Sequence, residues 1–372
     1  MNVMVAMSGG VDSSVAAALL MEQGHDVTGV TMKLWGGDSD TGCCSVSDVD
    51  DARRVARMLG IDHHVFNFGD RFDTDVVAPY VDAHRHGHTP NPCIECNRHV
   101  KFDKLLVRAR ALGFDAIATG HHARVVTRDD GTRRVARGVD HAKDQSYVLY
   151  MLTQPQLRAT LLPVGDMTKD EVRARAATLG LPTAVKPDSQ DVCFITSSVG
   201  RAGFLESRVA FTPGRVVDGV SGAQVGQVEA VELVTVGQRR GVGLPGGSGA
   251  PRYVTNVDVP RATVTVGPAS DLYDGHVVLR DVVWTDTPPA GPVSAQCSAH
   301  GTVKAATFDE STKTLLWDEP HRRVAPGQAV VLYDGDAVLG GGIATSGVSR
   351  KSVGSSASAG RRSQGRSVES HA

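Results

Sequence analysis

The sequence predicts an α/β protein, with a parallel sheet flanked by helices in its first half and a β-rich second half. Three observations carry this. Through about residue 200, short apolar runs alternate with helix-length stretches, the strand–helix–strand rhythm from which parallel sheets are built. The glycine pair Gly9-Gly10 lies between the first apolar run and the first helical stretch. After about residue 205, glycine, valine and proline become dense and helical periodicity almost vanishes. That pattern describes short strands joined by turns, in small barrels or sandwiches.

Taken in order, residues 3–7 read as a buried strand and 12–23 as an alanine- and leucine-rich helix stopped by Gly24. Residues 27–35 give a second strand, 48–59 an amphipathic helix closed by Gly60, and 63–68 a third strand. Helices are expected over about 70–85 and over 97–112, and a fourth strand over 115–120. Residues 124–138 interrupt the rhythm with two alternating runs around Asp130-Gly131, a hairpin signal. Thr168 then caps a helix, with Glu171 in the capping-box position. In the second half, strands are expected at 215–218, 234–239, 253–259, 262–267, 276–284, 329–333 and 337–344. A break within 265–275 separates two β modules. The expected domains are 1–204, 205–272 and 273–348, followed by a tail over 349–372. The tail is rich in Ser, Gly and Arg and has too little apolar surface to offset ordering entropy, so disorder is expected there.

Composition narrows the function. Of the 372 residues, 41% are apolar and 22% charged, as in ordinary water-soluble proteins. No apolar run approaches the ~18 residues of a spanning helix. The N-terminus reaches its glycines after seven residues without a basic lead, unlike a signal peptide. A net charge of -2 excludes nucleic-acid binding by bulk basicity, but not by a local patch. Two such patches are visible: six Lys/Arg against three Asp between His121 and Lys143, and Arg98, Lys101, Lys104, Arg108 and Arg110 against Asp103. We read them as a surface for RNA phosphates. Six cysteines are too few for a secreted disulfide scaffold, and their spacing points to catalysis or metal.

The strongest motif is Ser8-Gly9-Gly10-Val11-Asp12-Ser13-Ser14. Glycines let backbone approach a phosphate, and the N–H groups and dipole of the following helix suit an anion. Serine hydroxyls add donors. No lysine follows, so this is not a Walker loop. Cys93 and Cys96 lie in a loop stiffened by Pro90 and Pro92, just before the helix expected from Asn97. Cys96 would then stand at a helix N-terminus, where thiolate is favoured. Cys193 lies in a second proline-led polar loop, 186–195. A zinc site lacks a second ligand pair, and Cys43-Cys44 and Cys297 read as structural. A reading from a different class has Cys93, Cys96 and Cys193 holding an iron–sulfur cluster or zinc.

The Ser8–Ser13 string looks like the PP-loop of ATP pyrophosphatases, which cleave ATP between the α and β phosphates and attach AMP to an oxygen. With the motifs at 6–14, 43–56, 89–102, 118–124, 143–150, 186–195, 236–244 and 325–333, the sequence resembles the tRNA-specific 2-thiouridylases over about residues 1–345. The resemblance implies an N-terminal PP-loop domain of the HUP-like adenine nucleotide alpha hydrolase kind, a small central domain and a C-terminal tRNA-binding β-barrel. It implies a cytoplasmic sulfurtransferase that uses ATP and Mg2+ and acts on the wobble uridine of tRNA, with an iron–sulfur cluster on the three cysteines left open. A cysteine desulfurase or sulfur-relay protein would be its sulfur donor. Carried over by position, Cys96 is the nucleophile and Cys193 the persulfide carrier, and sulfur leaves as the two form a disulfide. ATP falls to Ala6, Met7, Ser8, Gly9, Gly10, Val11, Asp12, Ser13, Met32 and Gly120. The tRNA falls to Asn91, Pro92, Cys93, His121, Lys143, Asp144, Gln145 and Gln328. Many relatives carry an aspartate where this chain has Cys93, so a thiol stands at the place of a candidate general acid/base. The barrel run 296–300 replaces an Arg-Tyr pair of some relatives. The competing enzyme class is a PP-loop ligase that adenylates a small-molecule carbonyl or carboxylate.

Overall fold

A computed structural model of the protein describes residues 1–34, 46–188, 192–195, 199–244 and 250–345. Cys43, Cys44 and the 349–372 tail lie outside the described residues. Strands β1 (Asn2–Ala6), β2 (Asp26–Lys33), β3 (His63–Asn67) and β4 (Ala116–Thr119) form a parallel sheet. A short β7 (Thr160–Leu161) completes it in the order β3-β2-β1-β4-β7. Side chains alternate across a strand, so β1 contributes to the core on both faces of the sheet. Val3 and Val5 face Val15, Ala16 and Leu20 of helix α1 (Val11–Glu22). Met4 and Ala6 face the opposite way, toward Phe72, Tyr80 and Val100. Helix α2 (Val46–Leu59) follows β2. The chain runs outward in one direction through β2 and β3 and in the other through β4 and β7. The topological switch point therefore lies between β1 and β4, where open α/β sheets bind ligands at the carboxyl ends of their strands.

The second sheet has the order β10-β11-β8-β9, from β8 (Gly214–Asp218), β9 (Gln224–Val228), β10 (Tyr253–Asp258) and β11 (Thr263–Gly267). Its core is a valine cluster that includes Val216, Val254, Val264 and Val266. Residues 234–239, expected as a strand, form a turn instead. Gly237 adopts φ 88°, and the Gln238 side chain accepts from the Thr235 N–H at 3.1 Å.

The C-terminal module is an antiparallel barrel of six strands: β12 (Tyr273–Trp284), β13 (Pro292–Gln296), β14 (Lys304–Asp309), β15 (Thr314–Arg322), β16 (Ala329–Asp334) and β17 (Ala337–Ala344). Pairing of β12 with β17 closes it. The hairpin at 124–138 forms as β5 (Ala123–Thr127) and β6 (Arg133–Arg137), but it joins the barrel rather than the first sheet, through Ala136 opposite Ala337. Strand β16 joins the two cores by its pleat. Val330 and Leu332 point into the barrel with Leu315 and Trp317. Ala329, Val331 and Tyr333 point outward into the cluster beneath the first sheet. The Tyr147 hydroxyl donates to the Ala329 carbonyl at 2.8 Å, and Arg137 lies over the Tyr333 ring at 3.9 Å.

Arg134 and Asp286 fasten the hairpin to the barrel with three N–H···O bonds of 3.0, 3.0 and 2.7 Å. Both side chains are nearly buried. Removing Arg134 leaves nearly buried Asp286 with the more exposed Arg128 at 3.3 Å and the Thr287 N–H at 2.7 Å, so Arg134→Met is expected to cost about 1–3 kcal/mol of stability. A chemical-denaturation midpoint measures this; an unchanged midpoint would show that the pair is dispensable.

Candidate active site

The nucleotide-loop residues meet at the switch point. Gly9 adopts φ +71°, and a Cβ there would lie 2.3 Å from the Asp48 carbonyl oxygen at the start of α2. A Cβ on Gly120, just past β4, would lie 2.5 Å from the Ser13 nitrogen. Both glycines are therefore required by close backbone approach. Ser13 accepts from the Ser8 N–H at 3.2 Å and donates to the Gly10 carbonyl, as does Ser14 at 2.8 Å. Both hydroxyls are buried. In this arrangement they brace the loop, and the start of the 12-residue helix α1 carries no side-chain cap. Ala6, Met7 and Val11 are buried beneath it, and Met32 is buried on the neighbouring strand.

Asp12 is the charged residue of the loop. Both of its oxygens accept from Lys169 Nζ at 2.8 Å, and Oδ1 pairs with His122 Nε2 at 3.0 Å. Burial pushes the Asp12 carboxyl up, but the hydrogen bonds from His122 and Lys169 outweigh it and hold the group below the usual carboxylate range. His122 Nδ1 is buried without a hydrogen-bond partner.

Lys169 is placed by the capping box read from the sequence. Thr168 accepts from the Glu171 N–H at 3.3 Å, while Glu171 accepts from the Thr168 N–H at 2.7 Å. Helix Lys169–Thr178 thus starts with Lys169, whose Nζ also lies 2.9 Å from Asp188 Oδ1. Asp188 further accepts from Lys143 at 2.8 Å and Arg173 at 2.7 Å. Burial opposes ionisation of Asp188, but Lys143 and Lys169 prevail and hold its carboxyl far below the usual range. Lys186 pairs with Asp48 at 2.8 Å and Asp51 at 2.6 Å. The loop that carries Cys193 is therefore anchored at its root to the nucleotide loop and to α2. Its far end is fixed by Phe194, whose ring centroid lies 5.6 Å from Phe72, 5.5 Å from Tyr80 and 5.1 Å from Phe204. Cys193, half-buried, packs against the cluster that includes the buried Cys96. His122, Lys186 and Asp188 lie within the 118–124 and 186–195 motifs, which do not single them out, and Lys169 lies outside every motif. The capping box is the one local signal that points at Lys169.

The helix expected from Asn97 begins earlier. It runs through Pro92–Glu95, a π-helical stretch Cys96–Lys104 and Leu105–Ala111. Pro92 occupies the first turn, where its missing N–H costs nothing, and the Asn91 side chain caps by accepting from the Cys93 N–H at 3.0 Å. Cys96 thus lies a turn inside the helix and is buried, and Cys93 takes the N-terminal place expected for Cys96. Cys297 follows β13 and packs against the barrel core, where burial pushes its thiol up to about 12.

The residues expected to contact RNA differ in exposure. Lys143 and Gln145 are exposed, and Asn91, Cys93 and Gln328 half-buried. Gln328 adjoins Gly327, which lies against His88 and Thr89 and so brings the barrel to the loop before Asn91. Two of these residues, Asp144 and His121, are engaged within the protein. Asp144 is buried, with its oxygens taken by Arg137 at 2.8 Å, Gly138 at 3.1 Å and Ser146 at 2.8 Å. His121 is buried and joined to Thr119 at 2.7 Å, and burial holds it well below the usual imidazole range. Pro92 is buried as well. The basic stretches are also less available than their counts imply. Arg134 and Arg137 pair with Asp286 and Asp144, Arg133 donates to the Leu157 and Arg158 carbonyls, and Arg110 to that of Pro155.

The glycine cradle and the open end of α1 fit a nucleotide polyphosphate. Among the described residues, no three His, Cys, Asp or Glu side chains gather closely enough to hold a metal ion. That arrangement does not fit a protein-held cluster on Cys93, Cys96 and Cys193, and Asp12 is already engaged by two cationic partners. A magnesium ion would come with the nucleotide.

Comparison with known families agrees with this arrangement. Residues 1–197 match the family described as tRNA methyl transferase HUP domain, 202–268 the tRNA methyl transferase PRC-barrel domain, and 276–344 the aminomethyltransferase beta-barrel domain. The chain is 46% identical over 352 residues to the tRNA-specific 2-thiouridylase MnmA of Chloroflexus aurantiacus, covering 92% of this chain and 97% of that one. It is 48% identical over 355 residues to the MnmA of Mycolicibacterium smegmatis, covering 91% and 98%. It is also 48% identical over 353 residues to that of Frankia casuarinae, covering 92% and 98%. With likeness of this degree across all three modules, the chain belongs to the MnmA family of tRNA-specific 2-thiouridylases.

Proposed function

We propose that the protein replaces the carbon-2 oxygen of the tRNA wobble uridine, position 34, by sulfur in an ATP-dependent reaction. The observation that carries this reading is the joining of the nucleotide loop to the Cys193 loop through Asp12, Lys169 and Asp188. An ATP site and a sulfur site that share one ion-pair network suit a reaction that needs both. A small-molecule ligase needs only the first.

The chemistry is dictated by the substrate. Carbon-2 of uridine is a poor electrophile and its oxygen a poor leaving group. That oxygen attacks the α phosphorus of ATP and pyrophosphate departs, with the backbone of α1 and the glycine cradle holding the polyphosphate. Magnesium, when bound, neutralises phosphate charge. Cys193 carries a persulfide received from a cysteine desulfurase or relay protein. Its terminal sulfur attacks carbon-2, and AMP leaves with the former oxygen. Cys96 thiolate then attacks the Cys193 sulfur. The carbon-bound sulfur departs as the thione, and the two cysteines are left as a disulfide. An external thiol reduces that disulfide. The exposed Lys143 and Gln145, with the half-buried Gln328 and Asn91, are assigned to RNA contact in this reading. Incubation with unmodified tRNA, ATP and a persulfide donor, followed by nucleoside analysis, tests the proposal. ATP–pyrophosphate exchange driven by a small carboxylate without tRNA would overturn it.

Cys93 stands in the first helical turn, three residues before Cys96. As a proton-transfer group it makes Cys93→Ala slower by about 10²-fold with an altered pH–rate profile, and Cys93→Asp substantially active. Alanine turnover within about twofold of wild type between about pH 6 and 9 would reduce Cys93 to packing.

A further inference from the structure

The motif at 236–244 has no part in the reaction above, yet the fold holds it firmly. Two backbone bonds pin its turn to β10: the Gly237 N–H donates to the Val254 carbonyl at 2.7 Å, and the Val254 N–H to the Gln238 carbonyl at 2.9 Å. The Gln238 side chain closes the turn on itself. Its oxygen accepts from the Thr235 N–H at 3.1 Å, and its amide donates to the Arg240 carbonyl at 2.8 Å. Val242 is buried beneath. Gly243 adopts φ +62°, and a Cβ there would lie 1.6 Å from the Gln227 carbonyl oxygen of β9, so only glycine fits this seat.

This frame carries two arginines outward. Arg239 and Arg240 are exposed, and among the described residues neither guanidinium has a carboxylate or hydrogen-bond partner. Arg322 of β15 adds a third cation at the edge of the turn. It donates to the Gly237 carbonyl at 2.7 Å and lies 5.6 Å from the Tyr253 ring centroid. Arg134 and Arg137, by contrast, are paired with carboxylates inside the protein. A guanidinium fork without an internal acceptor matches the oxygens of a phosphate. The turn also meets the loop that leads to the sulfur centre: Thr235 Oγ1 lies 3.3 Å from Thr89 Oγ1. Thr89 stands two residues before Asn91, the cap of the helix that carries Cys93 and Cys96.

We propose that Arg239 and Arg240 form a further contact surface for tRNA, each binding a backbone phosphate, so that the central domain holds the RNA beside the helix of Cys93 and Cys96. The proposal rests on the tRNA reading above and extends it to a module that reading leaves without a role. Adjacent guanidiniums with no carboxylate between them suit the unbroken negative charge of a nucleic-acid backbone. A phosphate contact carries no sequence information, so the turn fixes where the RNA lies and not which base enters.

The test is a titration of the full-length enzyme with labelled, unmodified tRNA at salt concentrations from about 50 to 200 mM, read by fluorescence anisotropy. Each phosphate contact contributes about one to the slope of log Kd against log salt. Arg239→Gln with Arg240→Gln should lower that slope by about two and raise Kd about tenfold at the low-salt end. Arg239→Lys with Arg240→Lys keeps both charges and should retain the wild-type slope to within about half a unit. With saturating tRNA, the glutamine variant should thiolate with kcat within about twofold of wild type while its KM for tRNA rises, a split that damage to the fold would not give. An unchanged slope and Kd in the glutamine variant overturns the proposal. So does a lysine variant that loses slope as the glutamine variant does, since its charge was kept. Unchanged tRNA binding with thiolation lost only when a cysteine desulfurase supplies the sulfur would assign the turn to a protein partner and overturn the proposal too. Wild-type thiolation with a silent glutamine variant removes this surface alone, whereas wild type that neither binds nor thiolates tRNA removes the reading beneath it.

Discussion

Cys193→Ser is expected to end 2-thiouridine formation, a loss of at least about 10³-fold, because no other group on that loop can carry a transferable sulfur. Oxygen for sulfur is nearly isosteric, so the loop should stay where it is. Its position is set by groups the substitution leaves alone: Asp188 at the root, held by Lys143, Lys169 and Arg173, and Phe194 seated among Phe72, Tyr80 and Phe204. The exposed residues proposed to meet RNA, Lys143, Gln145 and Gln328, lie on other segments. Binding of tRNA should therefore remain within about twofold of wild type, and ATP-dependent pyrophosphate release should persist. Nucleoside analysis, a tRNA titration and a pyrophosphate assay read the three quantities separately. Retained 2-thiouridine in the serine variant would remove Cys193 from the sulfur path. Loss of all three together would mean that the substitution had damaged the fold instead.

Much of the fold is legible in the sequence because its signals are local. The strands around β1 are unbroken apolar runs, α1 and α2 are stopped by Gly24 and Gly60, and Thr168 with Glu171 forms the capping box its spacing implies. The misses share a cause: the deciding partner is distant in sequence, or a residue carries two meanings. The 124–138 hairpin is recognisable, but its membership in the barrel depends on Ala337, which no local pattern discloses. Pro92 reads equally as a loop stiffener and as the first residue of a helix, and the Asn91 cap decides for the helix. The strand expected at 234–239 gives way to a turn at Gly237. At the site, the glycine loop and the cysteines are visible as motifs. The tie between them is not, since Asp12, Lys169 and Asp188 are joined only by folding. The same reason explains why counting arginines overstates the RNA surface: Arg134 and Arg137 are held by Asp286 and Asp144 inside the protein.

Asp12→Ala is expected to lower ATP-dependent turnover by about 10²–10³-fold, the range found when one preorganised electrostatic contact of a reacting site is removed. Asp12 is ringed by Lys169 and His122, so its loss frees two groups at once. Lys169 is then left to Asp188 alone, a carboxylate it shares with Lys143 and Arg173. Asparagine should repair this only in part, because it offers Lys169 one acceptor oxygen and no charge where the carboxylate offers two acceptors. The direction of the Asp12 shift sets the pH dependence. Burial raises the Asp12 pKa, but its hydrogen bonds lower it further, so the folded value lies below the unfolded one. Its contribution to stability is then complete above the ordinary carboxylate pKa and disappears as pH falls through the lower folded value. At neutral pH the contribution is whole, and Asp12→Ala should melt below wild type there. The difference should shrink on acidification. Pyrophosphate release with saturating ATP and tRNA, together with melting curves across the acid range, checks both parts. Near wild-type turnover in Asp12→Ala would exclude the loop from polyphosphate positioning, and a melting difference that grows toward acid pH would contradict the direction assigned to the carboxyl.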